Sequence, residues 1–276
     1  MQFSDLHTHS RYSDGMLWPE EIVCIASKKG LRYLSITDHD TVDSQFFIEA
    51  LSIQYNITII PGLELSTEYK DNEVHILAYF ININDISLNQ LLDRTKESRI
   101  IRAKDIIAKL NYMDIDINYE EVVREGVAIG RPHIAKVLVA KGYTSNTKAA
   151  FQQYLIKGKP AYVGRCKIAY KDALKLISSC KGIPVLAHPG ELYRGIHIEE
   201  LIKEFKVYGL KGIEVFHPSH SLKQSNDYYN LAKKYSLLIT GGSDCHGSFL
   251  ETENIIGNYG IDENLINKFI KLNHIK

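Results

Sequence analysis

The sequence predicts an α/β protein: a parallel sheet or barrel with helices outside, interrupted by an inserted, mainly helical cap subdomain. Three observations lead there. About seven short apolar runs are separated by helical patterns, the alternation expected of strands crossing back through helices. Metal-capable side chains fall at or beside the ends of those runs, where parallel α/β folds place their chemistry. Between about residues 87 and 157 the rhythm is lost to long polar, helix-like segments.

The opening "FSDLHTH" alternates, so His7 and His9 share one face of an extended segment. "WPEEIVCIASKKG" is helical, with Pro19 near its start, acids in the first turn and Lys-Lys-Gly at its end. "LRYLSITDHD" reads as a short buried strand running into polar residues, and "SQFFIEALSIQYN" as a helix. "ITIIPGLELS" reads as a strand ending at Glu64. "EVHILAYF" is another, with His75 near its start instead of its end, so this strand is expected to run differently. "NQLLDRTKESRIIRAKDIIAKLN" and "RPHIAKVLVAKGY" fill the inserted helical block. The rhythm then returns with "GIPVLAHPG", "GLKGIEVFHPSH" and "LLITGGSDCHG". The expected division is 1–86 with 158–276 for the sheet or barrel and 87–157 for the cap.

The 276 residues suffice for a large core, and 45% hydrophobic with 24% charged residues is ordinary for a globular protein. Lys plus Arg and Asp plus Glu both number 33, so the chain has no basic excess with which to grip long nucleic acid. A phosphate-bearing partner is expected to be small. Cys24, Cys166, Cys180 and Cys245 show no paired spacing, which argues against a disulfide framework or a thiolate zinc site. No leader-like or membrane-spanning run is present, and a cytoplasmic setting without membrane association is expected.

One histidine in a strand is ordinarily a satisfied core or surface residue. Here His7, His9, His39, His75, His188 and His246 all sit in short apolar contexts at or near expected strands. Burying that many imidazoles without partners is costly. Imidazoles and carboxylates without thiolates suit Mn²⁺, Fe²⁺ or Zn²⁺. The ligands are too many for one ion; two or three ions, bridged by a carboxylate, fit better. Such sites polarise phosphoryl oxygens and activate water near neutral pH.

"DLHTHSRYSDG", "ITDHDT", "GLELST", "EVHILAYF", "LAHPG" and "GSDCHG" follow one another as in the PHP (polymerase and histidinol phosphatase) family of metal-dependent phosphoesterases, which the chain resembles nearly end to end. The resemblance implies a distorted seven-stranded (β/α) barrel and three divalent ions, Mn²⁺ first among the candidates, then Fe²⁺ or Zn²⁺. It implies that His7, His9, Asp244 and Glu64 hold a first ion. Glu64 would bridge to a second, held by His75 and His188, and Asp14, His39 and His246 would hold the third. Asp5, Asp38, Asp40 and Glu214 are candidates to orient the imidazoles, with strand-end caps or a buried pair as the plainer alternative.

"GRPHIAKVLVAKGYTSNTKAAFQQYLIKGKPAYV" is similar to the insertion of the PHP branch that removes the 3′-phosphate from nucleoside 3′,5′-bisphosphates and in some members trims short RNA from the 5′ end. Arg131 and His133 are the first candidates to hold substrate phosphate, since guanidinium matches phosphate in a planar fork; Arg99 is a weaker one, on a charged helix where solvation is the default. His217 is the candidate to protonate the leaving ribose 3′-oxygen, with metal-activated water as the alternative. The expected partner is a small phosphorylated nucleotide, with short RNA oligonucleotides as a second class and no stable binding of long nucleic acid. Rival readings are a histidinol-phosphate phosphatase, a C–N hydrolase of the amidohydrolase type, and a noncatalytic PHP module that binds metal.

Overall fold

The computed structural model describes residues 3–123, 129–164, 168–247 and 254–274. It divides into two compact units, Met1–Asn89 with Lys167–Lys276, and Gln90–Cys166. Among the described residues no helix is long and apolar enough to cross a membrane.

The first unit holds nine strands among its described residues: β1 (Ser4–Thr8), β2 (Tyr33–Ile36), β3 (Thr58–Ile59), β4 (Gly62–Tyr69), β5 (Asn72–Tyr79), β6 (Ile168–Ala169), β7 (Ile183–Leu186), β8 (Gly212–Phe216) and β9 (Leu238–Gly241). They form two sheets in place of the expected single seven-stranded barrel: β1-β2-β3, all parallel, and β6-β4-β5-β7-β8-β9. Isolated bridges, Thr8 with Cys245 and His39 with Glu64, stand where ladders would have to join the sheets. The ladders stop there for a physical reason. Asp40 and Asp244 take positive φ, 52° and 49°, so the chain turns out of the sheet beside each bridge.

The run "ITIIPGLELS" is two strands, not one. Pro61 has no N–H to donate, and the chain leaves β2's partner β3 there to begin β4. Glu64 therefore lies inside β4 and not at a strand end. His75 lies inside β5, which is antiparallel to both β4 and β7. The other chemistry-bearing residues sit where parallel strands finish. His7 is in the last turn of β1's pleat, His9 just beyond it, and His188, His217 and Asp244 follow β7, β8 and β9.

Helices cover the strands with one apolar face. Pro19–Lys28 buries Ile22, Val23 and Ala26, and Ile198–Val207 buries Leu201, Ile202 and Phe205, both at helical spacing. The helix Ile86–Asn111 leads into the second unit, which has its own core of Ile106, Leu110, Ile117, Ile134, Leu138 and Leu155.

Candidate metal centre

His7, His9 and Glu64 have no exposed surface. The pleat of β1 puts residues 7 and 9 on one face, as their spacing requires. Gly242 lets the chain after β9 pass directly over them: a Cβ there would meet the His7 Cβ at 2.3 Å and the His7 nitrogen at 2.4 Å. That crossing delivers Asp244, whose amide donates to the His7 carbonyl at 2.8 Å.

Four ligand atoms then converge. His7 Nε2 lies 3.1 Å from His9 Nε2, 3.2 Å from Glu64 Oε2 and 3.4 Å from Asp244 Oδ1. His9 Nε2 lies 3.2 Å from Glu64 Oε2 and 2.9 Å from Asp244 Oδ1. A tetrahedron with edges of this size has its centre about 2.0 Å from each corner, the length of a metal–nitrogen bond. Glu64 turns its other oxygen elsewhere: Oε1 is 2.9 Å from both His75 Nδ1 and His188 Nε2. Asp14, His39 and His246 form a third grouping with His9, nearer the surface, with His246 Nε2 3.2 Å from Asp14 Oδ1. His39 also reaches Glu64 Oε2, at 3.2 Å.

Electrostatics favour cations here. Burial alone would raise Glu64, but the imidazoles of His39, His7 and His75 hold it well below the carboxylate range. Burial opposes ionisation of Asp14 and Asp244 too, and neighbouring imidazoles again prevail. Burial would lower His9 and His75, yet the carboxylates beside them raise both to about 10. Protons on His7 and His9 would aim at one another across 3.1 Å. A shared cation satisfies both nitrogens without that conflict. His39 Nδ1, His75 Nδ1, Asp14 Oδ1 and Asp244 Oδ1, which face other ligand atoms, are buried without a hydrogen bond of good geometry, as coordinating atoms would be.

The surrounding shell is partly as expected. Glu214 is fully buried; its Oε1 pairs with His7 Nδ1 at 3.0 Å and its Oε2 accepts the His188 amide at 2.8 Å. It therefore fixes the His7 ring with Nε2 turned toward the ligand cluster. It also braces His188, whose φ of 23° is a strained backbone state. Asp5, Asp38 and Asp40 take the plainer role and tie down backbone and loop. Asp5 accepts the Ser243 and Gly257 amides, at 2.9 and 2.8 Å. Asp38 holds the Ser10 amide, the Ser10 hydroxyl and the Ser13 hydroxyl at 2.6–2.7 Å. Asp40 accepts the Ser66 amide at 2.8 Å.

His217 lies at the edge of the cluster, Nε2 3.3 Å from Asp244 Oδ2 and Nδ1 2.7 Å from the Ser219 hydroxyl. Three contributors were not singled out from the sequence. Glu73 pairs with His75 Nε2 at 2.8 Å, a contact that its i,i+2 spacing could have revealed. His220 accepts the Gly190 amide at 3.1 Å and pairs with the Val215 carbonyl at 2.9 Å, joining the loops of His188 and His217. Tyr79 donates to the Leu6 carbonyl at 2.8 Å beneath the site, a contact no local pattern signals.

Arg99, Arg131 and His133 lie in the second unit. There Arg99 donates to the Ile129 carbonyl at 3.4 Å, and Arg131 donates to the Leu155 carbonyl at 3.3 Å and stacks on Phe151. The His133 ring accepts the Gly130 amide at 3.1 Å, capping its own helix Arg131–Ala140.

A family model for the PHP domain matches residues 5–177. The chain belongs to the PHP family. A 3′,5′-nucleoside bisphosphate phosphatase from Chromobacterium violaceum is 33% identical over 246 residues, 88% of this chain and 86% of the relative. A 5′-3′ exoribonuclease from Haemophilus influenzae is 32% identical over 245 residues, 88% of this chain and 89% of the relative. A phosphoribosyl 1,2-cyclic phosphate 1,2-diphosphodiesterase from Eggerthella lenta is 29% identical over 255 residues, 89% and 94% of the two chains. Among solved structures, an amidohydrolase from Chromobacterium violaceum with bound sulfate and no metal superposes with a TM-score of 0.88 at 30% identity, covering 98% of this PHP chain and 96% of that one.

Proposed function

We propose that this PHP protein is a metal-dependent phosphoesterase that removes the 3′-phosphate of nucleoside 3′,5′-bisphosphates, taking 3′-phosphoadenosine 5′-phosphate to AMP, with short RNA as a second substrate class. One observation carries the reading: Glu64 offers Oε2 to His7 and His9 and Oε1 to His75 and His188, so one buried carboxylate serves two adjoining ligand sets. Divalent ions held there supply Lewis acidity toward phosphoryl oxygens and make water acidic enough to attack near neutral pH.

The residues divide the remaining work. His7, His9, Glu64 and Asp244 hold the deep position, His75 and His188 the adjoining one, and Asp14, His39 and His246 the outer one. Glu214 and Glu73 keep two of those imidazoles in the ligating tautomer. His217, hydrogen-bonded to Asp244, is the candidate to deliver a proton to the leaving ribose oxygen. Arg131, His133 and Arg99 are the candidates to hold the second phosphate. The substrate assignment draws on the relatives that act on nucleoside bisphosphates and RNA. The sulfate in a similar structure is a tetrahedral oxyanion of phosphate's shape.

The test is phosphate release by metal-stripped protein given back Mn²⁺. Release from 3′-phosphoadenosine 5′-phosphate with AMP as product, lost in Glu64→Gln, supports the reading. Silence there with turnover of histidinol phosphate or of a five-membered cyclic phosphodiester moves the assignment to another PHP activity. Metal binding without hydrolysis of any of the three identifies a noncatalytic module.

A further inference from the structure

On the segments that follow His9 and His39 the first unit carries an aromatic cluster that the chemistry above does not use. Tyr12 stacks on Phe47 with centroids 5.7 Å apart and planes 25° apart, and Trp18 meets Tyr12 edge-on at 5.8 Å. With Pro19 and Leu51 these rings line a cavity of about 230 Å³. Trp18 and Phe47 are 43% and 45% exposed, unusual for large apolar side chains in a folded core.

The position of the cluster says what it serves. Tyr12 lies between His9 and Asp14 in sequence. Asp14 is two residues from Tyr12, and two residues of chain span at most roughly 7 Å, about one ribose and its substituents. Phe47 ends the 3₁₀ turn Asp43–Phe47, which follows His39. Both segments are anchored. Asp38 pins the Ser10–Ser13 loop, and buried Gln45 donates to the Ile36 carbonyl at 2.8 Å and accepts the Gly62 amide at 3.2 Å on the strand of Glu64. Trp18 is steadied by Arg11, whose guanidinium lies 5.3 Å over the indole while its Nε donates to the Met16 carbonyl. The helices Pro19–Lys28 and Ile48–Tyr55 begin here, on the side where their preceding parallel strands end, which is the side of the ligands. Rigid, half-exposed rings on loops shared with a phosphate-cleaving centre suit a flat aromatic ligand joined to a phosphate.

We infer that Tyr12, Phe47 and Trp18 form a stacking platform for the nucleobase of the substrate whose phosphate lies at the metal centre. The inference rests on the nucleotide reading above. Base-on-aromatic stacking tolerates every base, so the platform gives affinity for nucleotides as a class more than choice among bases.

Trp18 is the chain's single tryptophan, so its fluorescence reports the platform directly. Titration of the metal-loaded protein with AMP should quench Trp18 emission, whereas ribose 5-phosphate should not. Phe47→Ala should raise KM for 3′-phosphoadenosine 5′-phosphate about tenfold. Tyr112→Ala, an exposed aromatic elsewhere in the chain, should leave KM where it is. Equal quenching by ribose 5-phosphate and AMP, or hydrolysis by Phe47→Ala with unaltered KM, overturns the platform while the phosphatase reading stands. Failure of the wild type to hydrolyse the bisphosphate, with Trp18 still quenched by AMP, overturns the substrate and keeps the platform.

Discussion

A carboxylate with no exposed surface is costly to ionise unless cations face both oxygens. Glu64 faces five imidazoles, those of His7, His9 and His39 at Oε2 and those of His75 and His188 at Oε1, and its neutral amide counterpart has a single oxygen and no charge to offer the two ligand sets. Glu64→Gln is therefore expected to lower turnover by at least about a hundredfold while circular dichroism stays native. Glu214 is fully buried and fixes the His7 ring, so Glu214→Gln should weaken metal binding by about 10- to 100-fold, read by calorimetric titration of metal-stripped protein. At this scale the sequence was legible where residue type and spacing coincide. The His7–His9 pair, and the carboxylates and imidazoles beyond later strands, come together as one cluster. Asp5, Asp38 and Asp40 were not separable from the orienting residues, because a buried aspartate looks the same in sequence whether it faces a ring or a backbone amide. His220 was passed over because its partners, Gly190 and Val215, are distant or uninformative in type.

Elements carry different constraints. The pass of the β9 loop over β1 leaves no room for a methyl group at residue 242, since the obstructing atoms belong to the His7 backbone and Cβ. Gly242→Ala should destabilise the fold by about 1–3 kcal/mol and weaken metal binding with it, measured by urea unfolding beside metal titration. On the far surface, Glu199 of the helix Ile198–Val207 accepts from Lys234 and Tyr235 of the next helix and its cap. The Lys234 hydrogen bond, with that of Tyr235, lowers its carboxyl to about 2. A carboxyl depressed on folding adds stability above its unfolded value and loses it as pH falls through the folded one. The gap in urea midpoint between wild type and Glu199→Gln should therefore narrow as pH drops from about 5 toward about 2. The fold's alternation was readable because strands and helices differ in hydrophobic period. The split of "ITIIPGLELS" into β3 and β4 was not, since one Pro can end a strand or sit at its edge. The two-residue strands β3 and β6 are too short to show any period.

For the whole molecule, ions that bind the folded chain and not the unfolded one add stability by mass action, about 2.7 kcal/mol per site at a hundredfold excess over Kd. Chelation should lower Tm by several degrees and Mn²⁺ should restore it, with a smaller response in Glu64→Gln, followed by differential scanning calorimetry. Two ligands of the proposed deep position come from opposite ends of the first unit: among the described residues His7 lies on its first strand, and Asp244 follows its last. The first 244 residues have thus to be synthesised before that position can exist. Loops this long close slowly, and their closure needs every intervening strand in register. Any ion held there would accordingly load late in the life of the nascent chain, and a chain that ends before β9 lacks the Asp244 that would help to hold it.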